Sequence, residues 1–218
     1  ALADNTSTQS RVKVADIAVA DDGDGTNSIT LSGDDAASFE VDGTSLFLRS
    51  GVVLDATKKS RFDVTVNVAD VGLPGSAPVS AGFTLSIVPA GGTFGDYSYS
   101  IARGAAIIRG ASGSLVDAVI PSSVYGYPVT AISTEAFASH GALRSVVIPA
   151  GVVSIGDNAF LNCANLESVS IPDSVSSIGM QAFILCRKLA SVSLPASVTS
   201  IGGFAFAYCT GLSAFTVA

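Results

Sequence analysis

Apolar and polar positions alternate along nearly the whole 218-residue chain, but two different rhythms govern its two parts. In the first part the rhythm is two. "RVKVADIAV" (11–19), "SITLSG" (28–33) and "RFDVTVNVAD" (61–70) place every second residue on one face, the pattern of a strand with one side buried. "FEVDGTSLFLR" (39–49) breaks into two such runs around Asp42-Gly43, a hairpin signal. "APVSAGFTLSIV" (77–88) closes the series. About seven short strands within ~90 residues predict a Greek-key β-sandwich.

In the second part the rhythm is longer. "RSVVIPAGVVSIGDNAFLNCANL" (144–166), "ESVSIPDSVSSIGMQAFILCRKL" (167–189) and "ASVSLPASVTSIGGFAFAYCTGL" (190–212) align without gaps at a period of 23. Ile148, Ile171 and Leu194 correspond, as do Phe160, Phe183 and Phe206, and Cys163, Cys186 and Cys209. An earlier unit, 120–143, keeps Ile120, Pro121, Ile132, Phe137 and Leu143, with five extra residues around "YGYPV". "SAFTV" supplies a last half-unit. Each unit reads as a short strand stopped by proline. The remainder returns along the back of a coil. Gly156, Gly179 and Gly202 are expected to serve turns with unusual backbone angles. One unit cannot bury its apolar face alone, whereas stacked units can.

The repeat "IPxxVxxIGxxAFxxCxxL" resembles the BspA-like class of leucine-rich repeats of bacterial and protist surface proteins. "YSYSIARGAAIIRG" and the segment up to residue 132 resemble its N-terminal hairpin and first repeat. The resemblance implies an adhesion or interaction module without shared catalytic residues. "DDGDGTNSITLSG" (21–33), "FEVDGTSLFL" (39–48) and "LDATKKSRFDVTVNVADVGLPGSAPVS" (54–80), in that order, resemble a bacterial cadherin-like repeat. That resemblance implies calcium ligands at Asp21, Asp22, Asn27 and Asp70, at the N-terminal end of the sandwich. The pattern's glutamate is missing after Leu54-Asp55, and the closing linker reads "PAGG", so no calcium is expected at the junction with the repeats. Calcium takes six to eight oxygens, so the expected binding is weak. The alternative is that these aspartates are solvated turn residues.

Composition sharpens the division. The "VPAGGTFG" stretch (88–95) reads as a linker, giving a cadherin-like β-sandwich at 1–90 and a solenoid at 91–218. The fold class is mainly β, the sandwich being followed by a short leucine-rich-repeat solenoid. The first part holds 12 of the 18 acids and 6 of the 11 bases. A net charge of −7 argues against nucleic acid, whose phosphates require clustered Lys and Arg. No apolar run reaches the ~18 residues of a membrane helix. The opening "ALADNTSTQS" lacks the charged start and apolar stretch of a signal peptide.

Candidate chemistry is sparse. The single histidine, His140, stands at the cysteine position of the first full repeat, so a His-rich metal site is excluded. A hydrolase using a Ser–His140–Asp site is the enzyme alternative, without a G-x-S-x-G elbow to support it. Only one acid, Asp117, falls on the expected open sheet face, so no carboxylate pair for glycoside hydrolysis stands there. That face has two columns. One is Asp117, Ser145, Ser168, Ser191 and Ala214; the other is Val119, Val147, Ser170, Ser193 and Thr216. Its serines are candidate binding residues, with Tyr125 and Tyr127 of the insertion. The other reading of the tyrosines is a cap packed over the first coil. The three cysteines are expected to stack as buried reduced thiols without metal.

These features lead to a non-catalytic extracellular or cell-surface adhesion and recognition module that binds a protein or glycan partner. A structural spacer is a further alternative. The chain is expected to be a fragment of a larger bacterial surface or secreted protein. With no polar capping repeat after "FTVA", self-association through the solenoid ends is also expected.

Overall fold

The computed structural model describes residues 1–20, 26–71 and 77–218. It forms two compact units, Ala1–Pro89 and Ala90–Ala218.

The first unit has seven strands among the described residues: β1 (Leu2–Ala3), β2 (Val12–Asp16), β3 (Thr26–Ser32), β4 (Phe39–Asp42), β5 (Ser45–Leu48), β6 (Arg61–Val71) and β7 (Val79–Val88). They make two sheets, ordered β1-β7-β6-β3 and β2-β5-β4. The predicted alternation is what joins them. Phe39, Leu46 and Leu48 from one sheet and Phe62, Val64, Val66, Leu85 and Ile87 from the other bury into one apolar cluster. Phe39 stands edge-on to Phe62 at 6.4 Å, an arrangement aromatic quadrupoles favour. In the β4–β5 hairpin Asp42 faces Ser45. Gly43 takes the left-handed φ of +58° that the tight turn needs.

The second unit opens with β8 (Gly91–Phe94), β9 (Tyr97–Ala102) and β10 (Ala105–Ala111), which pair antiparallel in sequence. It then winds as a solenoid carrying β11 (Asp117–Val119), β12 (Ser123–Val124), β13 (Tyr127–Ile132), β14 (Ser145–Val147), β15 (Ser154–Ile155), β16 (Ser168–Ser170), β17 (Ser177–Ile178), β18 (Ser191–Leu194), β19 (Ser200–Ile201) and β20 (Ala214–Val217). The strand expected in each repeat forms β11, β14, β16, β18 and β20. β11-β14-β16 and β18-β20 are parallel ladders with repeat positions in register, such as Val146 opposite Val169. The back of each coil holds a second short strand that the repeat reading did not foresee. β13, β15, β17 and β19 pair in parallel and continue into β10, β9 and β8. The two residues of each of β15, β17 and β19 are too few for a periodic signal; the neighbouring coil supplies the hydrogen bonds that define the strand.

Phenylalanines fill the solenoid axis. Phe137, Phe160, Phe183 and Phe206 stack face to face at 4.9, 4.9 and 5.2 Å. The spacing follows from the coil rise, close to the ~4.8 Å between paired strands. An edge-on ring closes the stack at each end: Tyr97 against Phe137 at 6.5 Å and Phe215 against Phe206 at 5.4 Å.

The glycine expectation needs correction. Gly156, Gly179 and Gly202 are absent from the positive-φ positions. Their requirement is space. A Cβ on Gly156 would lie 2.5 Å from the Thr134 nitrogen, and one on Gly179 would lie 2.5 Å from the Asp157 nitrogen, each in the preceding coil. The left-handed positions that recur from coil to coil are two other columns, Glu135, Asn158, Gln181 and Phe204, and Ser139, Asn162, Leu185 and Tyr208, with φ between +55° and +64°. These turns direct alternate amides along the solenoid axis. Asn158, Phe160 and Asn162 donate to the carbonyls of Met180, Ala182 and Ile184 in the next coil at 2.7–2.9 Å.

Candidate functional site

The parallel sheet containing β14 and β16 is exposed in the columns read from the sequence. Ser145 faces Ser168, and Val147 faces Ser170. Ser191 faces Ala214, and Ser193 faces Thr216. Ser168, Ser170, Ser191 and Ser193 are exposed, while Ser145 is half-buried. Alternation explains the face, since the intervening Val146 and Val192 point into the core and are buried, with Val169 half-buried. Ser145 is already engaged, its hydroxyl donating to Asp117 Oδ1 at 2.5 Å. The face is graded. Val119 and Val147, 66% and 45% exposed, make its first half partly apolar. Serines and Thr216 make the second half a set of hydroxyls.

The structure sets the tyrosines apart from those serines. Tyr125 occupies the turn between β12 and β13, with φ of +51°, followed by Gly126 at +84°. Two consecutive positive φ values suit a two-residue hairpin turn. Its ring stands edge-on to Phe94 at 5.3 Å and Tyr99 at 6.0 Å. Tyr125 thus packs on β8 and β9 while leaving 43% of its surface exposed. Tyr127 is half-buried in β13.

Of the four expected calcium ligands, Asp21 and Asp22 lie outside the described residues. The other two are brought together, since Asn27 and Asp70 are directly opposite in the β3–β6 ladder. The Asp70 carboxylate also accepts the Thr26 amide at 3.0 Å. Among the described residues no group of three or more His, Cys, Asp or Glu converges as a metal site. Asp55, which the sequence reading places before the missing glutamate, is engaged in its own turn. The Thr57 hydroxyl at 2.6 Å, joined by Lys58, holds its carboxyl down at about 2.

His140 is buried beside Phe137, ring to ring at 6.2 Å, and its Nε2 has no hydrogen-bond partner among the described residues. Neither a serine nor an aspartate therefore engages that nitrogen as a catalytic triad requires. The cysteine column is buried as expected, and it also hydrogen-bonds. Cys163, Cys186 and Cys209 donate their thiol hydrogens to the carbonyls of Phe137, Phe160 and Phe183 at 2.9, 3.2 and 3.1 Å. Burial pushes the Cys163 thiol up to about 11 and raises Cys186 and Cys209 as well. Thiols held in the protonated form are poor nucleophiles and poor ligands.

Residues 129–218 match the BspA type leucine-rich repeat region, in six copies. Over 59% of this chain and 99% of the other, the protein is 30% identical to a leucine-rich repeat protein from Bacteroides capillosus, with a TM-score of 0.55. It is 28% identical to a leucine-rich repeat protein of T. pallidum over 57% of this chain and 70% of that one, at a TM-score of 0.47. A leucine-rich cell surface protein from Faecalibacterium prausnitzii is 30% identical over 60% of this chain and 43% of its own, at 0.49. The comparison with curated proteins found no match.

Proposed function

We propose, from the membership of residues 129–218 in the BspA-type leucine-rich-repeat family, that this chain is a non-catalytic recognition module that binds a partner protein through its exposed solenoid sheet. The observation carrying this reading is the solvent-facing set of Ser168, Ser170, Ser191, Ser193 and Thr216 at equivalent repeat positions of two successive parallel ladders, β11-β14-β16 and β18-β20. Hydroxyls carried on strands that are already ordered lose little entropy on binding and can both donate and accept. The neighbouring Val119 and Val147 offer apolar area to the same partner. A glycan fits the hydroxyl half of the face less well, because the columns carry no aromatic ring for a sugar to stack on. The family resemblance supports an extracellular or cell-surface setting and a role in adhesion.

The first unit fits the cadherin-like reading in its two-sheet architecture and in the parallel pairing of its first strand with its last. The opposition of Asn27 and Asp70 is compatible with weak calcium binding at that end, completed by Asp21 and Asp22. Calorimetry with millimolar calcium tests this, and the absence of heat would remove the metal.

A screen of the whole chain on protein and glycan arrays tests the main reading. Capture of a protein that the Ser168→Arg/Ser191→Arg variant loses, with unchanged thermal unfolding, is the expected result. Capture that survives the double variant would exclude this face. No capture by the wild type would favour the spacer.

A further inference from the structure

The first unit carries a strand edge that no described strand covers along most of its length. β7 is paired along its whole length with β6, from Val79 opposite Val68 to Ser86 opposite Arg61. On its other edge β1 covers only Ile87 and Val88. The direction of the uncovered groups follows from two bonds. The Ile87 amide donates towards β6, to the Ser60 carbonyl at 2.8 Å, and the Val88 carbonyl accepts the Asp4 amide at 2.9 Å on the β1 side. Alternation along a strand then turns the backbone groups of Ser80, Gly82 and Thr84 outward. No described strand pairs with them.

Exposed edges are usually protected by charge, proline or a bulge. Residues 79–86 read "VSAGFTLS", with no charged residue and no proline, and their register against β6 is unbroken. At the centre stands Gly82, whose φ is not in the left-handed region and whose added Cβ would meet nothing within 4 Å. Neither turn geometry nor crowding requires a glycine there. Glycine inside a strand weakens it and often marks close approach of a ligand or another backbone.

Beneath this edge the sandwich is open. A cleft of about 260 Å³ is lined by Ile17, Leu46, Val66, Val68, Ala81 and Phe83 among others, with Asp16 also part of the lining. Val79 lies on the core-facing side, in series with buried Leu85 and Ile87, yet is 74% exposed. Among the described residues, apolar side chains therefore face an unfilled space next to backbone groups that no described strand pairs. Strand addition uses this pairing of features: main-chain bonds supply affinity and a pocket reads alternate side chains.

We propose that the free edge of β7 binds an extended peptide segment of a partner protein, running parallel to β7 in line with β1. The segment places small apolar side chains at alternate positions into the cleft. It carries positive charge, because the unit has 12 acids against 6 bases over residues 1–90; Asp16 in the cleft lining is already paired with Lys13 at 2.6 Å. The parallel direction continues the pairing β1 already makes.

The probe is a fluorescein-labelled hexapeptide of alternating valine and lysine, titrated onto the whole chain by anisotropy. Amide exchange is read by nuclear magnetic resonance. Saturable binding below about 1 mM is expected, with slowed exchange at Gly82 and Thr84. N-methylation of the peptide's alternate amides should abolish binding without altering the protein. Ala81→Lys should weaken it at least tenfold, and a valine–glutamate peptide should bind more weakly than the lysine one. No saturable binding at about 1 mM, or binding that survives N-methylation, overturns the proposal. Gly82 protection that rises with protein concentration in the absence of peptide overturns it as well, since a second copy then occupies the edge.

Discussion

The thiol of Cys186 donates to the carbonyl oxygen of Phe160, one coil earlier, at 3.2 Å. The same oxygen accepts the amide of Cys163, also at 3.2 Å. Each interior cysteine thus ties its side chain to the preceding coil and its backbone to its own phenylalanine. The column links coils as well as filling space, and it needs protonated thiols to do so.

Thiol ionisation should therefore limit stability at high pH. Burial holds the Cys163 proton to about 11, whereas an unfolded thiol releases it at roughly 8.5. The folded state binds more protons between those values, so stability is full below the lower one and falls as pH rises towards the higher. Urea unfolding midpoints should decline between about pH 8.5 and pH 11. They should decline less in a chain with all three cysteines replaced by alanine. Iodoacetamide at neutral pH should label the three thiols only after denaturation.

Gly202 and Gly203 are neighbours with opposite expectations. A Cβ on Gly202 would strike the backbone of Gly179 and Met180, while one on Gly203 meets nothing within 4 Å. Gly202→Ala must separate two coils and should cost ~2–3 kcal/mol, within the range for overpacking. Gly203→Ala should stay within about 0.5 kcal/mol of the parent. Paired denaturation curves decide this, and equal costs would contradict the close-approach account.

Phe204 and Tyr208 hold left-handed backbone at φ of +60° and +58° while being 70% and 69% exposed. A bulky L-residue pays ~1–2 kcal/mol for that conformation, and little burial offsets it here. Phe204→Gly and Tyr208→Gly should each raise stability by about 1 kcal/mol, measured by thermal or chemical unfolding. A loss in both would mean that the rings contribute more by contact than the turns cost.

The phenylalanine stack should be most sensitive at its middle. Phe183 is fully buried between two rings, whereas Phe215 closes the end at 46% exposure. Phe183→Ala should cost ~3–5 kcal/mol. Phe215→Ala should cost markedly less, because part of its surface never leaves water.

Much of the site was legible because a repeat restates itself. Once Phe160, Phe183 and Phe206 align, so do Ser168 and Ser191, and alternation alone puts those serines outside. Asn158 and Asn162 carried a readable hint of left-handed turns, since asparagine tolerates that region. The signal is lost further along the columns, where Leu185, Phe204 and Tyr208 take the same backbone against their own preference. Local preference cannot announce a conformation imposed by bonds to the next coil. The calcium assignment was only half within view, with Asn27 and Asp70 brought opposite and Asp21 and Asp22 beyond the described residues.

The sequence by itself determined the coil period, the apolar positions that fill each unit, and which face of the expected strand meets solvent. These depend on spacing along the chain, which a periodic pattern records directly. Only the tertiary structure decided the second parallel sheet, the reason for Gly156 and Gly179, and the thiol bonds to phenylalanine carbonyls. It alone also decided the open edge of β7. Each of these is a relation between atoms far apart in sequence, where a neighbouring coil or strand either crowds a position or leaves it bare. No single segment carries that information, because crowding, pairing and exposure exist only after the segments meet.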